Sequence, residues 1–231
     1  MLKVRDIKVN YGKSKIINGM SFDIHTGDKL VIIGRNGVGK TTLLKSVVGL
    51  LPLVQGSIDF FDQDISTTST HDRSRLGIAY VPQGREIIPY LTVEENLELG
   101  GYAHRNNSDD LKQKVLTYFP ALREHLKRKG GVLSGGQQQQ LAIGRALMSS
   151  PKILLLDEPT EGIQPNIVAE IANILNRIRE EMSITIVIVE QNLKFALKIA
   201  EKFIVIQKGE IVVQGKTNEL SQEIINSYLT I

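Results

Sequence analysis

The sequence predicts an α/β fold: a P-loop core that carries an antiparallel β part and an inserted α-helical subdomain. Three stretches carry that prediction. Leu30–Leu44 reads LVIIGRNGVGKTTLL, an apolar strand that breaks into G-x-x-x-x-G-K-T and leads into a helix. Ile153–Glu158 reads ILLLDE, a second buried strand that ends in two carboxylates. Between them, Leu91 to Met148 has helical rather than strand periodicity.

Taken in order, residues 2–9 and 21–25 alternate or cluster apolar side chains as short strands do, with Ile16–Gly19 read as a turn between them. Tyr11 follows the first strand in Asn10-Tyr11-Gly12, where a tyrosine either packs or faces a ligand. In the P-loop, Gly34, Gly37 and Gly39 allow positive φ and let backbone N–H groups approach phosphate oxygens. Arg35, Asn36, Val38 and Thr42 belong to the same nucleotide-binding stretch. Lys40 reaches the β- and γ-oxygens as a mobile point charge, and the Thr41 hydroxyl is placed to ligate Mg²⁺.

Gly49 and Pro52 end this helix, and Gly56–Phe60 reads as a strand. Asp64–Arg75 is polar and rich in Ser and Thr, which predicts a surface connection. Gly77–Val81 is a short buried strand that stops at Pro82. Gln83 then stands where α/β sheets bind ligands, although an ordinary loop glutamine reads the same way.

Thr92-Val93-Glu94-Glu95 is a capping box that starts a helix through Leu97 and Leu99. Leu111, Val115, Tyr118 and Phe119 lie at helical spacing behind Asp109 and Asp110. Leu133-Ser134-Gly135-Gly136-Gln137 then runs straight into another helix, and its N-terminal amides make a second anion cradle. One nucleotide uses two cradles only if both converge on it. The run Gln137–Gln140 is too short to signal low complexity.

At the end of the ILLLDE strand, Asp157 suits Mg²⁺ and Glu158 suits polarising an attacking water; a solvated acidic turn is the alternative, weakened by the P-loop upstream. Pro165 starts a helix with an apolar face of Val168, Ile171, Leu175 and Ile178. Ile184–Val189 is the next strand and ends in Glu190-Gln191-Asn192, followed by a helix through Leu197. Phe203–Ile206 and Ile211–Val213 form a hairpin across Lys208-Gly209, and Asn218–Ile231 reads as a short helix.

The chain has 231 residues, 42% hydrophobic and 23% charged, an ordinary globular composition for one domain with an insertion. The net charge of +3 is spread along the chain, without a basic run that argues for nucleic acid. With no cysteine, disulfides and thiolate metal sites are excluded. The N-terminal MLKVRDIKVNYGK lacks the apolar core of a signal peptide, and no apolar run reaches the length of a membrane span. The expectation is a chain soluble by itself, whose membrane role would come through a partner.

The order of P-loop, Gln83 after a strand, LSGGQ and ILLLDE resembles the ATP-binding cassette (ABC) proteins along the whole chain. The resemblance implies a head-to-tail dimer with two ATP molecules at the interface, each held between one P-loop and the other subunit's signature stretch. It implies that Tyr11 stacks on adenine and that Gln83 senses Mg²⁺ and the attacking water. Ser134, Gly135, Gly136 and Gln137 would bind the partner's ATP in trans. Thr41, Gln83 and Asp157 would serve Mg²⁺, and Glu158, Gln83 and Gln191 catalysis.

Two positions depart from the family pattern. The loop after the acidic pair reads Glu161-Gly162-Ile163-Gln164-Pro165, without the usual Asp that speaks across the dimer. Gln191 stands where a histidine commonly contacts the γ-phosphate. An amide donates a hydrogen bond but cannot become cationic as histidine can, so slower hydrolysis at this P-loop, or a heavier reliance on Glu158, is expected.

The wording of 82–86, 91–96, 161–165 and 189–192 is similar to the smaller ATPase subunits of importers for branched-chain amino acids and urea. Gly84–Pro89 and the four glutamines lean toward the urea type. The implied partners are transmembrane permease subunits, a second ATPase subunit in a homo- or heterodimer, and indirectly a solute-binding protein, with no nucleic acid. The implied place is the cytoplasmic face of the cell membrane, held there through the permease. The expected division is a nucleotide-binding core at 1–83 and 151–231 with a helical subdomain at 84–150.

Overall fold

The computed structural model describes residues 1–102 and 109–228. An antiparallel sheet of order β2-β1-β4-β5 is built from β1 (Leu2–Tyr11), β2 (Ser14–Ile24), β4 (Gln55–Phe60) and β5 (Gln63–Asp64). The larger sheet has the order β10-β9-β3-β8-β7-β6. It contains β3 (Lys29–Ile33), β6 (Ile78–Val81), β7 (Ile153–Asp157), β8 (Thr185–Glu190), β9 (Lys202–Gln207) and β10 (Glu210–Lys216). All its pairings are parallel except the β9–β10 hairpin.

The strands of the larger sheet are apolar on both faces because both faces are covered. Leu30, Ile32, Ile153, Leu155, Val187, Val189, Ile204 and Ile206 meet α1 (Lys40–Val47) and the antiparallel sheet. Val31, Ile33, Leu154, Leu156, Ile186, Ile188, Phe203 and Val205 meet the helices of the other layer. The period of two thus splits each strand between two cores.

Between β6 and β7 run α3 (Val93–Gly101), α4 (Asp109–Tyr118), α5 (Pro120–Arg123) and α6 (Gly135–Leu147). The predicted capping box is present, with Thr92 Oγ1 accepting from Glu95 N and Glu95 Oε2 from Thr92 N at 2.7 Å. α7 (Pro165–Met182) and α8 (Leu193–Ile199) follow β7 and β8, and α9 (Gln222–Tyr228) comes last. Residues 103–108 of the predicted helical stretch and 229–231 of the predicted C-terminal helix lie outside the described residues. Among the described residues, no helix is long and apolar enough to cross a membrane.

Two expectations are corrected. Ile16–Gly19 is not a turn but lies inside β2, and the turn is at Gly12-Lys13. Gly19 is bulged, between Asn18 paired with Lys8 and Met20 paired with Ile7, and that extra residue breaks the alternation by which a strand is read. Asp64–Arg75 is not only a surface connection: α2 (Thr70–Leu76) forms there. Ser69 caps it by accepting from Asp72 N, and Gly77 closes it in the left-handed conformation.

Candidate active site

Parallel pairing brings the C-terminal ends of four strands to one edge. Ile33 is level with Glu190, Asp157 with Val189 and Val81 with Leu156, so the loops after β3, β6, β7 and β8 open side by side. In them lie the P-loop, Gln83, Glu158 and Gln191. A cleft of about 430 Å³ is lined by Asn36, Gly37, Gly39, Lys40, Thr41, Thr42, Gln83, Glu158 and Gln191, together with Ile16 and Glu161.

The loop is built for close approach. At Gly34 a Cβ would stand 2.5 Å from the Ile206 carbonyl oxygen, and Gly39, at φ 107°, is the left-handed residue that turns the chain into α1. Lys40 is 4% exposed, and its Nζ donates to the carbonyls of Gly34 (2.8 Å) and Arg35 (3.0 Å) while lying 3.5 Å from Glu158 Oε1. A buried ammonium ringed by its own loop is preorganised for an anion.

Asp157, at the end of β7, is 1% exposed. Thr41 Oγ1 donates to its Oδ1 at 3.0 Å and Tyr80 OH to its Oδ2 at 3.1 Å. Burial pushes the Asp157 carboxyl above its ordinary value. Neighbouring Glu158 adds to the rise, and the bonds from Thr41 and Tyr80 only partly offset it. Burial beside Asp157 likewise raises the Tyr80 phenol, so it stays a donor.

Glu158 takes a positive φ of 46° and turns its carboxylate into the cleft, where Gln191 Nε2 donates to Oε1 at 2.8 Å. Gln83 Nε2 donates to Glu161 Oε2 at 3.0 Å. Glu190 fixes the floor beneath them. Buried at the end of β8, it accepts from Thr160 N and Oγ1, Gln191 N and Asn192 N, and so ties the loop after β7 to the loop after β8.

Several predicted residues stand apart from the cleft lining. Tyr11, 66% exposed at the end of β1, offers its ring to solvent. Val38 packs into the core, and the carbonyls of Gly34 and Arg35 serve Lys40. Ser134 to Gln137 do not line the cleft at all: they form a capping box at the start of α6, with Ser134 Oγ accepting from Gln137 N and Gln137 Oε1 from Ser134 N at 3.0 Å.

Sequence reasoning missed Ile16, Glu161 and Glu190. The signal for Glu190 was present, an acidic residue ending an apolar strand as Asp157 does. The other two come into the cleft from a bulged strand and a loop, where no periodicity marks them.

The donor set fits Mg²⁺. This ion dehydrates reluctantly and takes one or two protein oxygens plus substrate phosphates, as Thr41 and Asp157 offer. Among the described residues no group of three or more His, Asp or Glu gathers as a self-contained metal centre.

Comparison with known proteins agrees with this geometry. The ABC transporter family model matches residues 17–161. The high-affinity branched-chain amino acid transport ATP-binding protein BraG of Pseudomonas aeruginosa is 41% identical over 216 residues, covering 92% of this chain and 91% of that one. The probable branched-chain amino acid transport ATP-binding protein LivF of Archaeoglobus fulgidus is 35% identical over 223 residues, covering 95% and 94%. The dimeric post-hydrolysis state of the ATP-binding cassette MJ0796, bound to ADP and Pi, superposes with a TM-score of 0.84 at 26% identity, covering 94% of this chain and 99% of that one. With a family model spanning more than half of its length and relatives matched nearly end to end, this chain belongs to the ABC transporter family as an ATP-binding ATPase.

Proposed function

We propose that this chain is the ATP-hydrolysing subunit of an importer for branched-chain amino acids, working at the membrane through permease subunits. The observation that carries the motor reading is the gathering of Lys40, Thr41, Gln83, Glu158 and Gln191 on one cleft, with the second anion cradle at Ser134–Gln137 left outside it. A cradle outside its own cleft suits a dimer in which it closes over the partner's nucleotide; the cassette MJ0796, a dimer bound to ADP and Pi, supports a dimeric working unit.

In this reading Tyr11 stacks on adenine. The backbone from Gly34 to Gly39, with Lys40 and Thr42, holds the phosphates. Thr41, Asp157 and Gln83 serve Mg²⁺, which when bound neutralises phosphate charge. Glu158 polarises the attacking water, and Gln191 holds the Glu158 carboxylate in place through its amide. The division into a core at 1–83 and 151–231 and a helical part at 84–150 belongs to the same proposal. So does a peripheral place on the cytoplasmic face of the membrane.

Glu158→Gln keeps the shape of the cleft but removes the base. ATP turnover should fall by about 10²- to 10⁴-fold with binding of a fluorescent ATP analogue retained. Near-normal turnover would remove Glu158 from its role.

The branched-chain assignment follows the names of the two relatives matched nearly end to end, and it displaces urea as the leading solute. The residues behind the urea reading have local duties here. Arg85 bonds to Gln138 in α6 and to the loop after β7, and Gln139 and Gln140 are buried in α6. Radiolabelled leucine and urea uptake by cells lacking this chain separates the two: loss of leucine uptake alone supports the proposal, and loss of urea uptake alone reinstates urea.

A further inference from the structure

The loop after β6 does more than present Gln83. Gly84, Arg85 and Glu86 take φ values of 81°, 71° and 45°, placing two successive non-glycine residues in the left-handed region. Such a backbone persists where its surroundings hold it. The hold comes from α6: Arg145 Nη2 donates to Glu86 O at 2.7 Å and to Arg85 O at 3.5 Å.

Thus twisted, Arg85 reaches two further elements. Its Nη1 donates to Gln138 Oε1 at 3.2 Å, near the start of α6, and its Nη2 to Glu161 O at 3.3 Å, in the loop after β7. Glu161 in turn accepts from Gln83 in the cleft. Gly135 leaves room for the guanidinium: a Cβ there would stand 3.1 Å from Arg85 Nη1.

We infer that Arg85 is a positioning residue that locks the Ser134–Gln137 end of α6 to the loop after Glu158, so that nucleotide in this chain's own cleft changes the stability of that helix end. The planar fork is what the task needs, because one group donates in two directions, to the start of α6 and to the loop after β7. The inference rests on the reading of the cleft as this chain's own ATP site, given under Proposed function.

The test is hydrogen–deuterium exchange on the full chain at a concentration where light scattering shows a monomer. Peptides covering 133–140 are followed with and without Mg²⁺-ATP, and a fluorescent ATP analogue is titrated in parallel. In the wild type, exchange in 133–140 should change about threefold or more on adding ATP. Arg85→Ala and Gln138→Ala should each abolish that response with analogue affinity held within about twofold, and Arg85→Lys, which keeps the charge without the fork, should retain at most part of it.

A wild type that binds ATP without any response in 133–140 overturns the inference, as does Arg85→Ala responding like the wild type. If Arg85→Ala loses its fold by circular dichroism, Arg85→Lys carries the same comparison, and a full wild-type response from it overturns the inference. A wild type that binds no analogue removes the reading of the cleft, and the inference with it.

Discussion

Asp157 lies deepest among the acidic groups of the site, and its environment works against its charge. The folded protein keeps a proton on it at pH values where the unfolded chain has already lost it. This group's contribution to stability is therefore greatest below the ordinary carboxylate range, about pH 4, and declines as pH rises through its elevated folded value. Without nucleotide and Mg²⁺, Asp157→Asn should accordingly raise the melting temperature at neutral pH, by about 2–4 °C for each kcal/mol recovered. The gain should shrink as pH is lowered toward 4, which scanning calorimetry over a pH series measures. A melting temperature unchanged or lowered at neutral pH would mean that the bonds from Thr41 and Tyr80 outweigh burial. The Asp-Glu pair itself was legible in the sequence, because a carboxylate ending an apolar strand stands out. Two of the donors that hold it were not: Tyr80 comes from β6 and Gln191 from the loop after β8, and they meet the pair only through sheet order.

At the scale of elements, α2 shows how a polar segment can carry a structural duty. Arg73, 3% exposed, donates to the carbonyls of Ser46 and Val47 at the end of α1 and to those of Ser66 and Thr68. Burial lowers its pKa, with Asp64 opposing. Among these carbonyls, Val47 O is a helix-end acceptor with no partner in its own helix, and one guanidinium satisfies it together with the other three. Arg73→Ala should destabilise the chain by about 2–4 kcal/mol in urea titration, the cost of leaving buried acceptors unpaired. A change near zero would show that water replaces the side chain. The helix escaped notice in the sequence because it lacks an apolar stripe, although Ser69, Asp72 and Gly77 spell out its cap, first turn and stop.

For the molecule as a whole, the separation of Ser134–Gln137 from the cleft bears on assembly. Light scattering on Glu158→Gln should show a monomer without ATP and a dimer with Mg²⁺-ATP if two copies complete each other's sites. A monomer that holds ATP would instead assign the second half-site to a different ATPase subunit.

The local grammar of the chain was readable from the sequence: the P-loop with its strand and helix, the capping box at Thr92, the helix start at Ser134–Gln137, the buried strands and the acidic strand end. These depend on residues within a few positions of one another, where sterics, capping and periodicity act directly. Only the tertiary structure decided that Glu161 and Arg85 link the loops after β6 and β7 to α6, that Glu190 ties the loops after β7 and β8, and that Gln191 grips Glu158. Each of those contacts joins strands that are neighbours in the sheet or in the helical layer but distant along the chain. Strand order is set by how both faces of the sheet are buried at once, which no short window of sequence contains.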